Sequence, residues 1–424
     1  MRTTIALRVA RIVTLQADDR PLMVRLQFQS RFIRCPLSIA PTNWMSVMSV
    51  AIIHLVAGAR PNFMKVAPLY HALARESWAK PVIVHTGQHY DAEMSDAFFQ
   101  DLKLPTPDFH LNVGSGSHAE QTAAVMVSYE RLCLDARPTW TVVVGDVNST
   151  LACALTCAKL RVNVAHLEAG LRSGDRDMPE EINRIVTDSV ADLLWTPSPD
   201  ADENLTREGV PAHRIERVGN IMIDAYELLR ARIEQQATRQ QFGLRARDYG
   251  VVTLHRPSNV DDETALVSLV AEICAVAAQV PLVFPLHPRT RRRLEEFDLI
   301  DRLAKKPGLH LIKPMSYLPF MGLVREAKLV VTDSGGLQEE TTYLGIPCMT
   351  LRTTTERPVT IEQGTNRLIA ATDLRPAVAA VLRGEWPSGR CPELWDGHAA
   401  SRVVASLKAK IDRHSAHAAP LVHS

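Results

Sequence analysis

The stretch KLVVTDSGGLQEETTYLG, residues 328–345, reads as a short β-branched strand, a glycine pair and a helix that stops at Gly345. An apolar run of this length bounded by turn residues predicts a strand buried on both faces, and a helix following at once predicts a βα unit. The same order recurs along the chain. AIIHLVA (51–57), PVIVHT (81–86), WTVVVG (140–145), VNVAHL (162–167) and LLWTPS (193–198) are the expected strands of a first half. GVVTLH (250–255), PLVFPLH (281–287), LHLIKP (309–314), KLVVTD (328–333) and PCMTLR (347–352) are those of a second. Strands alternating with helical periods predict parallel sheets, hence an α/β protein in two halves. The helix after MPEE is expected to bury the face carrying Ile182, Ile185, Val186 and Val190, a period continued by Leu193 and Leu194. A Gly-Asn turn at 219–220 followed by a charged helix places the boundary near 220. The expected organisation is an N-terminal extension over 1–48, a first domain over 49–220, a second over 221–390, and a closing segment over 391–424.

The chain has 424 residues and is 46% hydrophobic, enough for two cores of ordinary size. Lys and Arg number 48 against 47 Asp and Glu, a net charge of +1, so bulk charge points to neither nucleic acid nor a membrane surface. An anionic ligand must be held locally. No window approaches the ~18 apolar residues of a membrane span. The seven cysteines form no CxxC pair and no even framework, which suits a reducing cytoplasm. Cys153 and Cys157, one helical turn apart, are read as core residues. Residues 1–44 carry seven arginines and two acids, a transit-type composition without an apolar segment. The plainer reading is a start at Met45 or Met48, directly before SVAIIHLVAG.

What each strand runs into carries the chemistry. AIIHLVAG opens onto Arg60, VVVG onto Asp146, VAHL onto Glu168, VVTL onto His255, VFPL onto His287, and LVVTD onto Ser334, Gly335 and Gly336. In open α/β sheets, ligands sit beyond the carboxyl ends of the strands. The Ser-Gly-Gly turn at a helix start suits a phosphate, and Glu340 follows at a distance suited to ribose hydroxyls. No GxGxxG follows a strand, so NAD is unsupported. Arg60 with Lys65, and His255-Arg256 with His287, form cationic edges. Pro179, Glu180 and Glu181 open a helix where acidic residues suit the dipole, and Glu180 can pair with Arg184 at i+4. That account leaves Glu168 and Asp146 unexplained. Carboxylates facing a cationic edge are what acid and base work on a phosphorylated sugar requires.

At this point a resemblance is plain. GARPNFMKVAPL, TGQHYDAEMSDAFF, GDVNSTLA, AHLEAGLRSGDRDMPEEINR, VGN, HRPSN, HP, YLPF, TDSGGLQEE and TTERP occur in the order found in the non-hydrolysing UDP-N-acetylglucosamine 2-epimerases, from about residue 49 to about 410. The resemblance implies that each half is a Rossmann-like domain, in a glycosyltransferase-B-like fold with the active site between the domains, a homodimer, and a last helix, ASRVVASLKAKI, that crosses back to the first domain. It implies an isomerase that interconverts UDP-GlcNAc and UDP-ManNAc with no metal and no cofactor; the DRD at 175–177 is then not a metal motif. By motif, Asp146, Glu168 and Glu180 are the acid and base candidates, with Arg184 beside them. His255 joins the catalytic set and holds the diphosphate with Ser334, Gly335 and Gly336. Arg60 and Lys65 line the sugar cleft, Glu340 meets the ribose, Phe320 lies by the uracil, and His287 and Arg357 complete the lining.

Three departures qualify what is implied. Ser258 stands where HRxEN members carry Glu, QHYD replaces the QHREM of a second, activating nucleotide site, and RPNF replaces RPEA. RPNF, HYD and MSDAFF also resemble epimerases acting on UDP-2,3-diacetamido-2,3-dideoxyglucuronate, the second substrate expectation. A nucleotide-sugar-binding regulator would need only the cationic edge, and a glycosyltransferase of the same fold would not need both strand-end carboxylates with PEE.

Overall fold

A computed structural model describes residues 50–87 and 99–417. The N-terminal extension, the QHYD motif and the last seven residues therefore lie outside the described residues. Two all-parallel sheets hold the strands. The first comprises β1 (Ala51–Ala57), β2 (Ala79–His85), β3 (Phe109–His110), β4 (Trp140–Val144), β5 (Asn163–Leu167), β6 (Leu193–Thr196) and β7 (Ile215–Arg217), in the order 3-2-1-4-5-6-7. The second comprises β8 (Gly250–Thr253), β9 (Leu282–Pro285), β10 (Leu309–Ile312), β11 (Leu329–Thr332), β12 (Cys348–Thr350) and β13 (Asn366–Leu368), in the order 10-9-8-11-12-13. The ten expected strands are all present. The three that the pattern did not announce, β3, β7 and β13, are two or three residues long and sit at sheet edges.

The order matters for function. In each sheet the winding reverses between the first strand and the one that pairs on its other side, β1 with β4 and β8 with β11. Such a switch point opens a crevice at the carboxyl ends of the strands, because the connecting helices leave to opposite faces. The turn after β4 delivers Asp146 to the first crevice; the turns after β8 and β11 deliver His255 and Ser334 to the second.

The helices that frame these crevices are α1 (Arg60–Leu73), α2 (His118–Asp135), α3 (Asn148–Leu160), α4 (Pro179–Val190), α5 (Ile221–Glu234), α6 (Pro288–Glu296), α7 (Tyr317–Val324), α8 (Gly335–Leu344) and α9 (Ala399–His417). Phe63, Leu69, Ile221, Leu229, Val403 and Leu407 share one buried cluster, which joins α1, α5 and α9. The last helix is fixed at both ends of this contact. Asp224 of α5 accepts the backbone N–H groups of Ala399 and Ala400 at 3.1 and 2.8 Å, capping α9. Further along, Ser406 accepts from the Trp195 indole of β6 at 3.0 Å. Cys153 and Cys157 are fully buried among Val143, Ala152 and Val164, as core residues.

One helix departs from its expected orientation. The buried face of α4 is polar, made of Glu181, Asn183, Arg184, Thr187 and Asp188, while Ile182, Ile185, Val186 and Val190 are only half-buried. Leu193 and Leu194 belong to β6. Periodicity identifies a face but not which neighbour it meets; here the polar stripe is satisfied by ion pairs beneath it, so burial goes against hydrophobicity.

Gly219, in the turn between β7 and α5, has φ +90°, and a Cβ there would stand 2.1 Å from the Leu394 carbonyl oxygen. Gly345, the C-cap of α8, has φ +66° with nothing within 4 Å. Gly345→Ala should cost only the left-handed backbone term, about 1–2 kcal/mol, in urea denaturation. Gly219→Ala should lose clearly more in the same measurement, because the Leu394 backbone must also move.

Candidate active site

The first crevice is built around a buried ion pair. Asn62 of α1 accepts from the N–H groups of Gly58 and Ala59 at 3.1 and 2.9 Å and donates to the Val144 carbonyl at 3.0 Å, tying the β1 turn to the end of β4. Lys65, one turn further along α1, reaches over Gly145 to pair with Glu168. A Cβ at Gly145 would come within 2.9 Å of the Lys65 ammonium, and its φ of +67° also favours glycine. Glu168 itself adopts φ +73°, a costly conformation for a side-chain-bearing residue. The Trp195 carbonyl holds that turn by accepting from both Glu168 and Ala169 N–H at 3.1 Å. Glu168 Oε1 is buried without a hydrogen-bond partner in the protein.

Asp146 lies beside this pair, about a third exposed, and accepts from Arg184 of α4. Asn183 donates to the Asp146 carbonyl at 2.9 Å, so α4 fixes both the backbone and the side chain of Asp146. Arg184 pairs with Glu181, not with Glu180 as the i+4 spacing suggested: its Nε and Nη2 donate to Glu181 Oε2 at 3.0 and 2.7 Å. The buried stripe of α4 carries Glu181 and Arg184 together, whereas Glu180 lies half-buried at the margin. Burial opposes ionisation of Glu181, but the Ser173 N–H, Arg184 and the Gly174 N–H outweigh it and hold the carboxyl below its ordinary range. Arg60 opens α1; the role expected of its side chain lies outside the described part of the structure.

The second crevice turns on a residue the sequence reading passed over. Asp333, fully buried at the end of β11, accepts from the N–H groups of His255 and Arg256 at 3.0 and 2.9 Å and from Asn259 at 3.1 Å. It also faces His255 Nδ1 at 2.9 Å. Burial works against its charge, yet His255 and these N–H groups keep it ionised. The imidazole is thereby turned so that Nε2 points away from Asp333. His287 packs against that ring with centroids 5.6 Å apart. Its Nδ1 accepts from Arg289 N–H at 3.2 Å as the N-cap of α6, and burial and His255 both lower its pKa. His287 is therefore a neutral cap rather than a second positive charge for a diphosphate.

Ser334 caps α8. The two glycines behind it have different uses. A Cβ at Gly335 would come within 2.9 Å of Arg357 Nη1, whereas Gly336 has open space within 4 Å. The first admits Arg357; the second leaves the helix N-terminus, with its unpaired N–H groups, open to an anion. Arg357 is held by Glu339 at 2.8 Å and Glu356 at 3.3 Å. Burial would discharge it, but Glu339 and Glu356, with Glu168 and Asp146 across the crevice, keep it a cation. Glu356, despite burial, is held down to about 2 by Arg357 and by Arg352, which lies 2.8 Å away. The two crevices thus face each other, and Arg256 Nη1 comes within 4.0 Å of the Met178 sulfur just before α4.

Glu340 is buried on α8, where it accepts from the Tyr317 hydroxyl at 2.7 Å. Burial pushes this carboxyl up to about 7, with the Tyr317 bond opposing and Glu339 adding to the shift. Phe320, one turn after Tyr317 on α7, is partly buried against the central cluster. Asp333, Glu339, Glu356 and Tyr317 are not among the expected site residues, and Glu181 was expected only to open its helix. Each has a signal in hindsight, since each adjoins a named site residue or lies one turn from it: LVVTD ends on Asp333, PEE holds two glutamates, and TTERP puts Glu356 next to Arg357. Among the described residues, no group of three or more His, Cys, Asp or Glu is arranged to hold a metal. No described helix is long and apolar enough to cross a membrane.

This arrangement of facing sheets is glycosyltransferase-B-like. The family model for UDP-N-acetylglucosamine 2-epimerase matches residues 71–408. A UDP-N-acetylglucosamine 2-epimerase of Methanocaldococcus jannaschii is 42% identical over 322 residues, 74% of this chain and 87% of that protein. A UDP-2,3-diacetamido-2,3-dideoxy-D-glucuronate 2-epimerase of Pseudomonas aeruginosa is 39% identical over 361 residues, 84% of this chain and 99% of that protein. The crystal structure of a Methanocaldococcus jannaschii UDP-GlcNAc 2-epimerase in complex with UDP-GlcNAc and UDP superposes with a TM-score of 0.76 at 39% identity, covering 84% of this chain and 99% of that one. On these matches, and on the two facing crevices, the chain belongs to the UDP-N-acetylglucosamine 2-epimerase family.

Proposed function

We propose that this protein is a non-hydrolysing 2-epimerase that interconverts UDP-GlcNAc and UDP-ManNAc by eliminating and re-adding UDP. The observation that carries the reading is the opposition of two buried edges: the Lys65–Glu168 and Arg184–Asp146 pairs on one side, and Arg357 with the N-terminus of α8 on the other. The C2 proton of the sugar is not adjacent to a carbonyl, so direct deprotonation is too slow. Elimination across C1–C2 avoids that problem. The C1–O bond to UDP breaks as the C2 proton leaves, giving a 2-acetamidoglucal; UDP then returns to C1 while a proton is delivered to the opposite face of C2. His255, the open backbone at Gly336 and the cationic Arg357 suit the charge that grows on the departing diphosphate. Asp146, Glu168 and Glu180 are the candidates for moving the C2 proton. Glu168 Oε1 has no hydrogen-bond partner in the protein, and Asp146 is partly exposed beside it. Glu340 with Tyr317 suits the ribose, and Phe320 the uracil. Lys65, Ser334, Gly335 and His287 shape the walls between these groups, and Arg60 enters at the start of α1.

The second substrate reading, UDP-2,3-diacetamido-2,3-dideoxyglucuronate, draws on the Pseudomonas aeruginosa relative, nearly all of which this chain matches. A binding-only regulator is disfavoured by Glu168 and Arg184, both buried and paired where a sensor would have no use for them. We place the enzyme in the cytoplasm as a supplier of surface polysaccharide synthesis. It acts there as a homodimer through the half-exposed apolar stripe of α4.

Proton NMR of the purified protein with UDP-GlcNAc in D2O is the direct test. UDP-ManNAc should appear carrying deuterium at C2; product without deuterium would exclude elimination and re-addition. Turnover of the diacetamido-glucuronate alone would move the substrate, and turnover of neither would remove the reading. Asp146→Asn keeps the size of the side chain and the Asn183 contact to the backbone, so kcat should fall about 10²–10⁴-fold while UDP binding by calorimetry changes little. Glu340 adds a pH signature. Its carboxyl is raised from 4.5 to about 7 in the folded protein, so the stability it contributes is full below 4.5 and lost as pH rises through about 7. Ribose hydroxyls donate to the ionised form, so UDP affinity should rise with pH up to about 7 and level off above it. Glu340→Gln should remove that component and leave only the titration of UDP and the histidines.

A further inference from the structure

Behind the strand ends lies a buried relay that the reaction scheme does not use. His166 of β5 is fully buried, and both of its ring nitrogens face acceptors. Nε2 stands 2.8 Å from the Gly145 carbonyl oxygen, and Nδ1 stands 2.6 Å from Asp188 Oδ1. Asp188, buried on α4, turns its other oxygen to the Gly170 N–H at 3.0 Å and to Arg172 Nη1 at 2.8 Å. Arg172 continues outward to Glu208 at 2.7 Å.

Each contact lands beside a group proposed to react. Gly145 precedes Asp146 at the end of β4, Gly170 follows Glu168 by two residues, and Asp188 lies one turn beyond Arg184 on α4. Three separate segments are therefore keyed to one imidazole and one carboxylate. Both ring nitrogens are committed to acceptors, so the imidazole cannot turn without losing one of them. Asp188 keeps its charge although burial opposes it, because His166, Arg172 and the Gly170 N–H all favour the carboxylate. The relay is then an imidazole, a carboxylate and a guanidinium in a row. Buried charge of this kind is a poor source of stability, since apolar replacements of similar shape often fold as well. It does fix directions and separations, because every donor must meet its acceptor.

We propose that His166 and Asp188 are positioning residues for the 2-epimerase reaction: they set the separation and aim of Asp146 and Glu168 across the sugar ring. The proposal rests on the function argued above. It also accounts for the backbone of Glu168, whose φ of +73° persists because Trp195 holds the N–H before the turn and Asp188 holds the N–H after it.

Two isosteric variants separate the contacts. His166→Asn keeps a donor near the Nδ1 position for Asp188 and loses the bond to Gly145; His166→Gln keeps a donor near Nε2 for Gly145 and loses Asp188. Wild type is assayed first with both nucleotide sugars; if it epimerises neither, the proposed function fails rather than the relay. With an active wild type, each variant should lose about 10–100-fold in kcat, with KM and the calorimetric Kd for UDP within about threefold. A merely structural role would instead lower the folded fraction and leave kcat per UDP-binding site unchanged, and that result overturns the proposal. For variants that do not fold, Asp188→Asn keeps the shape of the carboxylate and serves in their place: the same fall in kcat with an unchanged Kd for UDP is expected, and an unchanged kcat per UDP-binding site overturns the proposal.

Discussion

Lys65 and Glu168 are drawn together inside the protein across the ends of β1, β4 and β5, and that ion pair dictates what the surrounding backbone must do. For the ammonium to arrive, residue 145 must have no side chain; for the carboxylate to meet it, Glu168 must take a left-handed turn. A buried charge left unpaired costs several kcal/mol, on the order of 3–5 when one partner is removed. The pair therefore constrains its neighbours more tightly than apolar contacts would. Asn62, Trp195 and Asp188 each hold one side of the turns that bring the two groups together.

The second sheet solves the same problem with different residues. Asp333 collects the backbone N–H groups after β8 and orients His255, while Glu339 and Glu356 retain Arg357 as a buried cation. In both crevices the groups that can meet a ligand are anchored by groups that cannot. This is how a site of high charge density keeps its geometry before a ligand enters. Preorganised dipoles and charges of this kind act without reorganising during the reaction.

Sequence patterning revealed the parallel α/β architecture because β-branched runs and helical periods are local properties, and every long strand carries one. The short edge strands β3, β7 and β13 carry too few residues to form a pattern and exist only because a neighbour offers its edge. The strand-end residues were legible for a similar reason, since a charged residue directly after a buried strand has few places to go. Less visible was which partner each charge takes. Glu180 and Glu181 are equivalent by helical propensity, and only tertiary packing of the polar face of α4 puts Arg184 with Glu181. Asp333 was hidden for the opposite reason: it reads as the last letter of a strand, and its four bonding partners come from the β8 turn, some 75 residues away by chain.

The cap that Asp224 places on α9 has a consequence for how the protein is made. The core of the first sheet contains Val403 and Leu407, from the final helix, beside Leu55 and Leu69 from the opening strand and helix. The sheet that holds β1 cannot complete its core until α9, far downstream in the chain, has been made. During synthesis β1 and α1 therefore keep part of their apolar face uncovered until α9 emerges. Domains that fold as they emerge avoid such exposure. Here loss of α9 would damage the first sheet rather than the second, which precedes it directly in sequence.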